Sequence, residues 1–431
     1  MLKKILKDSL PTMIAVMLYS LYGVIDGLFI GNSTGDVGLA AINIVWPVTA
    51  VIIACGIGIG TGGSVLLSYF IGTGDTQRAK EVYGTTNILL VLSSIVLFIL
   101  LKRNQIILEF LGASGEVYVE AKAYIDVIVF GCFLQVLGSG LLPILRNIGM
   151  AVHAMLSMAL GLFLNICINY YLMFVVGMGI KGAAYGTVAS QCVVVIIAFI
   201  LLCRDKSFGL YLYCHKQYML DIIKAGITPF GIYLAPSITL VFTNLQCIRY
   251  GGDAAVASYA VISYIVFPTL SMLGGVGDGT QPLTSYYNGA NKIEELRKIR
   301  RISYLILMIM GIVLTTCSIA LSEKIGVWFG LSEAGKEYFA MGMFISALAF
   351  LFQGIAKYNG SYLNATMRTK FAVFLTYVES LVISPLLLFI LPMIFGVIGI
   401  WMSALATSLT IIIIYQIGIK TSHKKHRNRV Q

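Results

Sequence analysis

Charged residues are scarce in this sequence. Only 11% of its 431 residues are Asp, Glu, Lys or Arg, whereas a typical soluble domain has about 25%. Hydrophobic residues make up 58% of the chain, and its mean hydropathy is +0.89. This composition excludes a soluble globular protein and predicts an integral protein of the cell membrane, in direct contact with the lipid bilayer.

The sequence also lacks the motifs of nucleotide-driven and metal-dependent proteins. There is no Walker A sequence, so we do not expect ATP to drive this chain directly. The eight Cys include no Cys-x-x-Cys pair, and the four His have no metal-ligand spacing. The Gly-x-Gly-x-Gly at 56–60 lies inside an apolar run with no strand before it, which favours close helix packing over a nucleotide loop. We therefore expect no cofactor and no structural metal.

Long apolar runs predict twelve membrane-spanning helices, because roughly 20 apolar residues cross a bilayer as one helix. Turn residues separate the runs. The approximate ranges are 9–30, 37–70, 85–101, 119–145, 151–175, 180–203, 220–248, 254–287, 302–321, 337–365, 371–392 and 396–419. The expected fold class is an all-α membrane protein.

The distribution of basic residues predicts the orientation of the chain. If the N-terminus is cytoplasmic, 22 of the 30 Lys and Arg lie in cytoplasmic segments and six lie in segments on the other side. Cytoplasmic loops carry such an excess, so both termini are expected inside the cell. The basic run from His423 to Arg429 is expected to lie against the anionic leaflet. This distribution accounts for the net charge of +11 without a nucleic acid partner.

The two halves of the chain resemble each other. A shift of 217 residues places Gly35 on Gly252 and Gly179 on Gly396. Both halves begin on the same side, so the repeat predicts two six-helix bundles related by a pseudo-twofold axis along the membrane normal. A substrate cavity between such repeats is typical of transporters. The predicted N-terminal lobe, cytoplasmic linker and C-terminal lobe with its basic tail are 1–203, 204–219 and 220–431.

An acid, Asp26, lies inside the first apolar run, which continues past it as GLFI. A carboxylate within a membrane span is costly, and it is a functional-site candidate by default. The alternative is that Asp26 lies at the end of the helix and reaches the lipid headgroups. Pro11, upstream in the same run, marks either a bend inside the helix or only its first turn.

Polar side chains in the fifth and sixth runs are candidate partners of Asp26. Asn165 and Asn169 are one helical turn apart and share a face, and Thr187 lies within the next run. With Asp26 they would supply a carboxylate, two amide oxygens and a hydroxyl, which suits Na⁺ or a protonatable acid. The alternative is that the amides only hold helices together.

Three charged residues of the second half, Asp278, Lys357 and Glu379, lie in or near apolar runs. The two acids would attract a cation. Lys357 would either neutralise one of them or extend its ammonium group to the membrane surface, and the second interpretation is preferred. The remaining polar side chains that we expect to line a substrate cavity are Tyr22, Gln135 and Gln281.

Several motifs together point to a known family. They are YGVIDGLFIGNSTGDVGLAA and LNICINYYLMF followed by GMGIKGAAYGTVASQ in the first half, and YGGDAAVASYAVISYIVFPTLSMLGGVGDGTQPLTSYYNGA in the second. They resemble the multidrug and toxic compound extrusion (MATE) family, and the resemblance covers essentially the whole chain. It implies an antiporter, coupled to H⁺ or Na⁺, that exports amphipathic and often cationic organic compounds by alternating access.

The resemblance also implies roles for individual residues. Asp26 matches the first-helix acid of the family's cation site, and Pro11 matches a first-helix proline linked to bending. Asn165 and Thr187 match further members of that site, and Ala183 falls where a backbone carbonyl contributes to it.

Asn169 departs from the family pattern, which usually has an acid at this position. The cation site is therefore expected to carry one charge fewer, which weakens the case for tight Na⁺ binding. The acids that another branch of the family has on its seventh and tenth helices have no clear match here, because Asp278 and Glu379 are on different helices.

Other functions make different demands on the sequence. A lipid-linked oligosaccharide flippase of related architecture would need a cavity rich in Arg and Lys, for which only Lys357 is a candidate. An intramembrane enzyme would need paired catalytic groups on facing helices, and no such pair stands out. A channel would need a filter-like repeat, and the sequence has none. We therefore expect a monomeric transporter of a small organic molecule and not an enzyme.

Overall fold

A computed structural model describes residues 1–205, 207–209, 211–328 and 333–427. Within these ranges the chain is almost entirely helical and has no β-strand, which confirms the predicted fold class. The helices are α1 Leu2–Gly35, α2 Val37–Thr73, α3 Thr76–Leu101, α4 Asn104–Phe110, α5 Gly115–Phe130, α6 Cys132–Asn147, α7 Ala151–Val175, α8 Gly179–Arg204, α9 Lys216–Gly252, α10 Ala254–Gly289, α11 Ile293–Trp328, α12 Glu333–Ala365, α13 Thr369–Phe395 and α14 Val397–Arg427.

Among the described residues, 11 helices are long and apolar enough to cross a membrane. The helices α5 and α6 meet the same criterion when they are taken together, and they are bent by 58° where Gly131 separates them. The twelve predicted spans therefore correspond to helices, although the fourth, at 119–145, is a bent pair. Most helices extend a few residues beyond the apolar runs, because backbone hydrogen bonding continues where the side chains become polar.

Glycines at equivalent positions break the two halves in the same way. Gly35 has φ 63° and ψ −150°, and Gly252 has φ 59° and ψ −156°. A residue with a Cβ adopts such angles only with strain. The second predicted pair, Gly179 and Gly396, has φ of 56° and 58°. These four positions confirm the internal repeat at the level of local geometry.

Each half also contains a short π-helical segment in its fifth span. In the first half this segment is Tyr171–Val175, at the end of α7, and in the second half it is Glu379–Ile383, within α13. Such segments are rare and are frequent at functional sites. The second segment begins at Glu379, one of the predicted cavity residues.

The described chain groups into two compact units. The first comprises Met1–Leu234 and Gly279–Leu296, and the second comprises Ala235–Asp278 and Arg297–Gln431. The first unit thus includes the end of α10. The lobes at 1–203 and 220–431, which follow the sequence repeat, stay a prediction.

Small residues allow close helix contact in the first unit. The backbone of Val136 and that of Gly140, both in α6, lie against Gly56 and Gly60 of α2, where a Cβ would collide. The Gly-x-Gly-x-Gly run therefore serves helix packing, as predicted. Around this contact lies a core of fully buried side chains from several helices, including Ile52, Leu90, Ile128 and Ala184.

The connection between α8 and α9 is docked on the first unit. The hydroxyl of Tyr83 in α3 donates to the carbonyl of Gly209 over 2.9 Å, and the rings of Tyr83 and Phe208 are 5.5 Å apart. The connection is shorter than the predicted linker at 204–219, because α9 already begins at Lys216.

The second unit has its own core where α12, α13 and α14 pack together. The rings of Phe371 and Tyr415 stack 6.4 Å apart, and Leu363, Leu375 and Ile411 are almost fully buried beside them. The helix α14 continues to Arg427. The end of the predicted basic tail, beyond residue 427, lies outside the described residues.

The predicted orientation can be tested by cysteine labelling. After the native Cys are replaced, a single Cys at Asn32 should react with a membrane-impermeant maleimide added outside the cell, because the positive-inside rule places this end of α1 outside. A Cys at Gln77, near Asp75 in the turn between α2 and α3, should not react until the membrane is permeabilised. Labelling of Gln77→Cys alone in intact cells would reverse the orientation.

Candidate functional site

The carboxylate of Asp26 is buried where three helices of the first unit meet. Asp26 lies well before the end of α1 at Gly35, and its side chain is only 6% exposed. The Asn169 Nδ2 of α7 donates to Asp26 Oδ1 over 2.6 Å, and the Thr187 Oγ1 of α8 donates to Asp26 Oδ2 over 3.1 Å. Each carboxylate oxygen therefore accepts a hydrogen bond. This geometry excludes the alternative in which Asp26 reaches the headgroups.

Asn165 extends this cluster by one helical turn. Its Nδ2 donates to Thr187 Oγ1 over 3.4 Å, and both Asn165 and Asn169 are fully buried. The Oδ1 atoms of both amides are buried and have no hydrogen-bond partner. Buried polar atoms are normally paired, so these two acceptors require an explanation. The structure thus brings together the predicted set of Asp26, Asn165, Asn169 and Thr187, with two acceptor oxygens left over.

Gly186 provides the space for the Asn169 amide. A Cβ at Gly186 would collide with Asn169 Oδ1, so the absence of a side chain on α8 allows this amide to lie flat against the helix. Gly161 of α7 does the same for the Tyr22 hydroxyl. Glycines in α7 and α8 therefore leave the space that the polar side chains occupy.

Gly186→Ala should weaken transport strongly while the protein still inserts into the membrane. The added methyl group displaces the Asn169 side chain, and Asp26 loses the shorter of its two hydrogen bonds. The measurement is export rate per inserted protein. The matched control is Gly274→Ala in α10, where a Cβ would meet nothing within 4 Å. Equal, full activity of both variants would show that the position of Asn169 is not important.

Tyr124 belongs to the site although the sequence did not point to it. This tyrosine of α5 is buried, and its phenol interacts with both Asp26 and Thr187. An isolated Tyr in the run AYIDVIVF gives no signal that separates it from an ordinary core residue. Tyr22, which was predicted, lies one helical turn before Asp26 and is buried among Met158, Leu162 and Val194.

Pro11 lies inside α1 and not at its first turn, because the helix begins at Leu2. The adjacent hydroxyls bond to backbone carbonyls, with Ser9 Oγ donating to Ile5 and Thr12 Oγ1 donating to Asp8. The predicted role of Pro11 in bending stays a prediction. So does the role of the Ala183 carbonyl, although Ala183 is fully buried one turn before Thr187.

The two predicted glutamines of the first unit have different surroundings. Gln281 exchanges hydrogen bonds with Asn147 (3.0 and 3.3 Å) and donates to Ser285 over 3.1 Å. Its amide is therefore engaged by neighbouring side chains. Gln135 in α6 is buried, and its Nε2 has no hydrogen-bond partner. Contact of either residue with a substrate stays a prediction.

In the second unit, the charge of Lys357 interacts with both of the predicted acids. Lys357 of α12 has electrostatic interactions with Glu379 of α13 and with Asp278 of α10. This favours neutralisation of the acids by Lys357 over the preferred expectation that its ammonium group reaches the membrane surface. Glu379 is the first residue of the π-helical segment, where the backbone hydrogen bonds depart from those of a regular α-helix.

Comparison with protein families decides the class of this chain. The MatE family model matches residues 11–171 and 232–390, which is more than half of the sequence. The chain belongs to the MatE family. It is therefore a multi-pass membrane protein of an efflux-transporter family and not an enzyme. The expectation drawn from the motifs is confirmed, and an intramembrane enzyme has no support.

Curated relatives and solved structures agree with this MatE assignment. The chain is 27% identical over 421 residues to the multidrug export protein MepA of Staphylococcus aureus (strain MSSA476), covering 94% of this chain and 91% of MepA. It is 26% identical over 423 residues to MepA of Staphylococcus saprophyticus, with 94% and 90% covered.

Among solved structures, an outward-facing multidrug resistance MATE transporter of the MOP superfamily matches with a TM-score of 0.91, at 23% identity, over 98% of this chain and 97% of that one. A MOP superfamily transporter from Pyrococcus furiosus Vc1 matches with a TM-score of 0.88, also at 23% identity, over 97% and 96%. These likenesses show the fold.

Proposed function

We propose that this MatE protein is an antiporter that exports amphipathic, often cationic organic compounds in exchange for H⁺ or Na⁺, and that Asp26 carries the coupling ion. The observation that supports this proposal most strongly is the Asp26 cluster itself. A carboxylate is buried in a membrane span, held by two donors and flanked by two acceptor oxygens that lack donors.

Either coupling ion makes use of these unpaired acceptors. A protonated Asp26 becomes a hydrogen-bond donor and finds an acceptor in the Oδ1 of Asn165 or Asn169. A Na⁺ ion is bound by hard oxygens, which the same carboxylate, amides and hydroxyl supply. In both cases the bound cation neutralises a charge that is costly to keep inside the protein.

Coupling follows if the two conformations of the transporter differ in their affinity for the ion. A ligand shifts an equilibrium only by its differential affinity for the two states. The cluster depends on the relative positions of α1, α7 and α8, so a bend of α1 at Pro11 would change the distances from Asp26 to Asn169 and Thr187. The transporter would then bind the ion in one conformation of α1 and release it in the other.

The class of exported compound is proposed from the curated relatives. Both MepA proteins are named multidrug export proteins, and the similarity covers 94% of this chain. Together with the predicted orientation, this supports export from the cytoplasm across the cell membrane, with both termini inside.

The proposal is tested with the purified protein in liposomes loaded with ethidium, an amphipathic cation. An H⁺ gradient and a Na⁺ gradient are imposed separately, each with the membrane potential clamped. At least one gradient should drive ethidium movement against its concentration, because antiport joins the two fluxes. Movement that is equally fast with neither gradient present would contradict cation coupling.

A further inference from the structure

Arginines cluster at one end of the second unit, where α11 begins and the chain turns from α12 into α13. Arg297, Arg300 and Arg301 lie in the first three turns of α11, and Arg368 directly precedes α13. Arg300 is half-buried, whereas the other three side chains are exposed. We call these four residues the Arg300 surface. The predicted orientation places this surface on the cytoplasmic side of the membrane.

A row of tyrosine rings supports the guanidinium of Arg300. Arg300 Cζ lies 5.8 Å from the ring centroid of Tyr362 in α12, which is a cation–π contact. The ring of Tyr362 stacks on that of Tyr358 at 6.0 Å, and Tyr358 makes a T-shaped contact with Tyr304 of α11 at 5.6 Å. The hydroxyl of Tyr304 donates to Asn359 Oδ1 over 2.6 Å. Arg300 therefore lies on packed rings of two helices, which fix its position.

The positive charges of the Arg300 surface lie close together and lack carboxylate partners. The phenol of Tyr362 interacts with Arg297 and Arg368 as well as with Arg300. None of the ion pairs found among the described residues includes an arginine of this surface. Neighbouring cations repel each other, although water weakens the repulsion. An anion bound between the guanidinium groups would replace this repulsion with attraction.

The acids of the surrounding sequence do not balance these arginines. After Arg297 the sequence has four acids, which are Glu323, Glu333, Glu337 and Glu379. The first three lie at the far end of α11 or in the first turns of α12, and the fourth lies at the π-helical segment within α13. The first turn of α11 contains Glu294 and Glu295, which suit the positive end of the helix dipole. The four arginines, with Lys298 and Lys370 beside them, outnumber these two acids.

Further into the membrane, the face of α11 that carries Arg301 is apolar. Leu305, Met308 and Ile312 follow Arg301 at intervals of three or four residues, so they lie on the same side of the helix. Their side chains are between 40% and 60% exposed. An anion held by the arginines would therefore continue into an apolar helix face. This combination matches a phospholipid, with its phosphate at the arginines and its acyl chains along α11.

We propose that the Arg300 surface binds the phosphate of an anionic phospholipid. The planar fork of a guanidinium matches two phosphate oxygens, and basic pockets between membrane helices on the cytoplasmic side bind anionic head groups. Because the ring of Tyr362 already positions Arg300, less side-chain freedom is lost on binding. Phosphatidylglycerol fits this surface better than phosphatidylcholine, whose choline cation the arginines would repel. Lipid binding needs neither substrate nor ion gradient, so the inference is independent of the proposed antiport.

The test measures which lipids the full chain retains from an equal mixture of phosphatidylglycerol and phosphatidylcholine, by native mass spectrometry. The wild type should retain phosphatidylglycerol in preference. The triple variant Arg297→Gln, Arg301→Gln, Arg368→Gln should retain about tenfold less of it, because each basic residue near an anionic lipid adds to the attraction. All three side chains are exposed, so this variant should keep its fold.

The matched control removes the same number of positive charges at the start of α1. Lys3, Lys4 and Lys7 are also exposed and lie on the same predicted side of the membrane. The triple variant Lys3→Gln, Lys4→Gln, Lys7→Gln should retain phosphatidylglycerol as the wild type does. Melting temperature gives a second measurement, because a ligand that binds the folded state stabilises it. Added phosphatidylglycerol should raise the melting temperature of the wild type and the lysine variant more than that of the arginine variant.

Three results would overturn the inference. Unchanged retention by the arginine variant would show that the Arg300 surface does not bind lipid. Equal loss from the arginine and lysine variants would show attraction by overall charge and not by this surface. A rise in melting temperature with inorganic phosphate equal to that with phosphatidylglycerol would assign the surface to a free anion. None of these results depends on the coupling ion, so a failure here is separate from a failure of cation coupling at Asp26.

Discussion

Asp26→Asn is expected to reduce gradient-driven export to the level of liposomes without protein. Asparagine has nearly the same shape, so one acceptor oxygen remains for Asn169 or Thr187. It carries no charge and cannot take up a proton or attract Na⁺, so the gradient no longer acts on the transporter. The measurement is ethidium efflux from energised vesicles at equal amounts of inserted protein.

The same variant should remain folded, because it removes a buried charge rather than creating one. A melting temperature close to or above that of the wild type would confirm this. The matched control is Asp221→Asn near the start of α9, which removes a carboxylate that is 36% exposed and should keep full export. Full export by Asp26→Asn would show that Asp26 does not carry the coupling ion.

Asn169→Asp is expected to change the ion dependence of transport. In the wild type, Asn169 Nδ2 lies 2.6 Å from Asp26 Oδ1. A carboxylate in its place puts two acids in direct contact, and they cannot both remain charged without a cation between them. The pair should bind Na⁺ more tightly, lowering half-saturating Na⁺ about tenfold or more, because attraction between charges is stronger in the protein interior than in water.

If the new pair instead keeps one proton, the dependence of transport on pH should be displaced, since two such acids titrate as one unit. Initial rates over a matrix of Na⁺ concentrations and pH values distinguish the two outcomes. Asn32→Asp, which adds the same charge at an exposed position of α1, is the control. Coincident profiles for Asn169→Asp and the wild type would place Asn169 outside the ion site.

The helices and the repeat could be predicted from the sequence, because each depends on a local property. Apolar length determines which segments cross a membrane, and only glycine adopts the angles seen at Gly35 and Gly252 without strain. The Asp26 cluster could also be predicted from the sequence. A carboxylate in an apolar run needs polar partners, and Asn165 and Asn169 are on one face of a nearby helix.

The directions of the side chains were harder to predict from the sequence, because they depend on how each helix is rotated and bent. Tyr124 of α5 interacts with Asp26 and Thr187, which its place in an apolar run does not reveal. Lys357 is buried and interacts with Glu379 and Asp278, a pairing across helices that the sequence does not specify. Arg146 was counted with the cytoplasmic segments, whereas it lies in the last turn of α6 and is only 9% exposed.

Antiport at Asp26 is tested most directly by measuring the ion movement that substrate alone produces. Ethidium is added outside proteoliposomes that have no ion gradient, while internal pH and Na⁺ are followed with fluorescent indicators. Ethidium entering through the wild type should drive H⁺ or Na⁺ out of the vesicles, and Asp26→Asn should produce no ion movement. Ethidium entry through the wild type without any opposing movement of either ion would contradict antiport at Asp26.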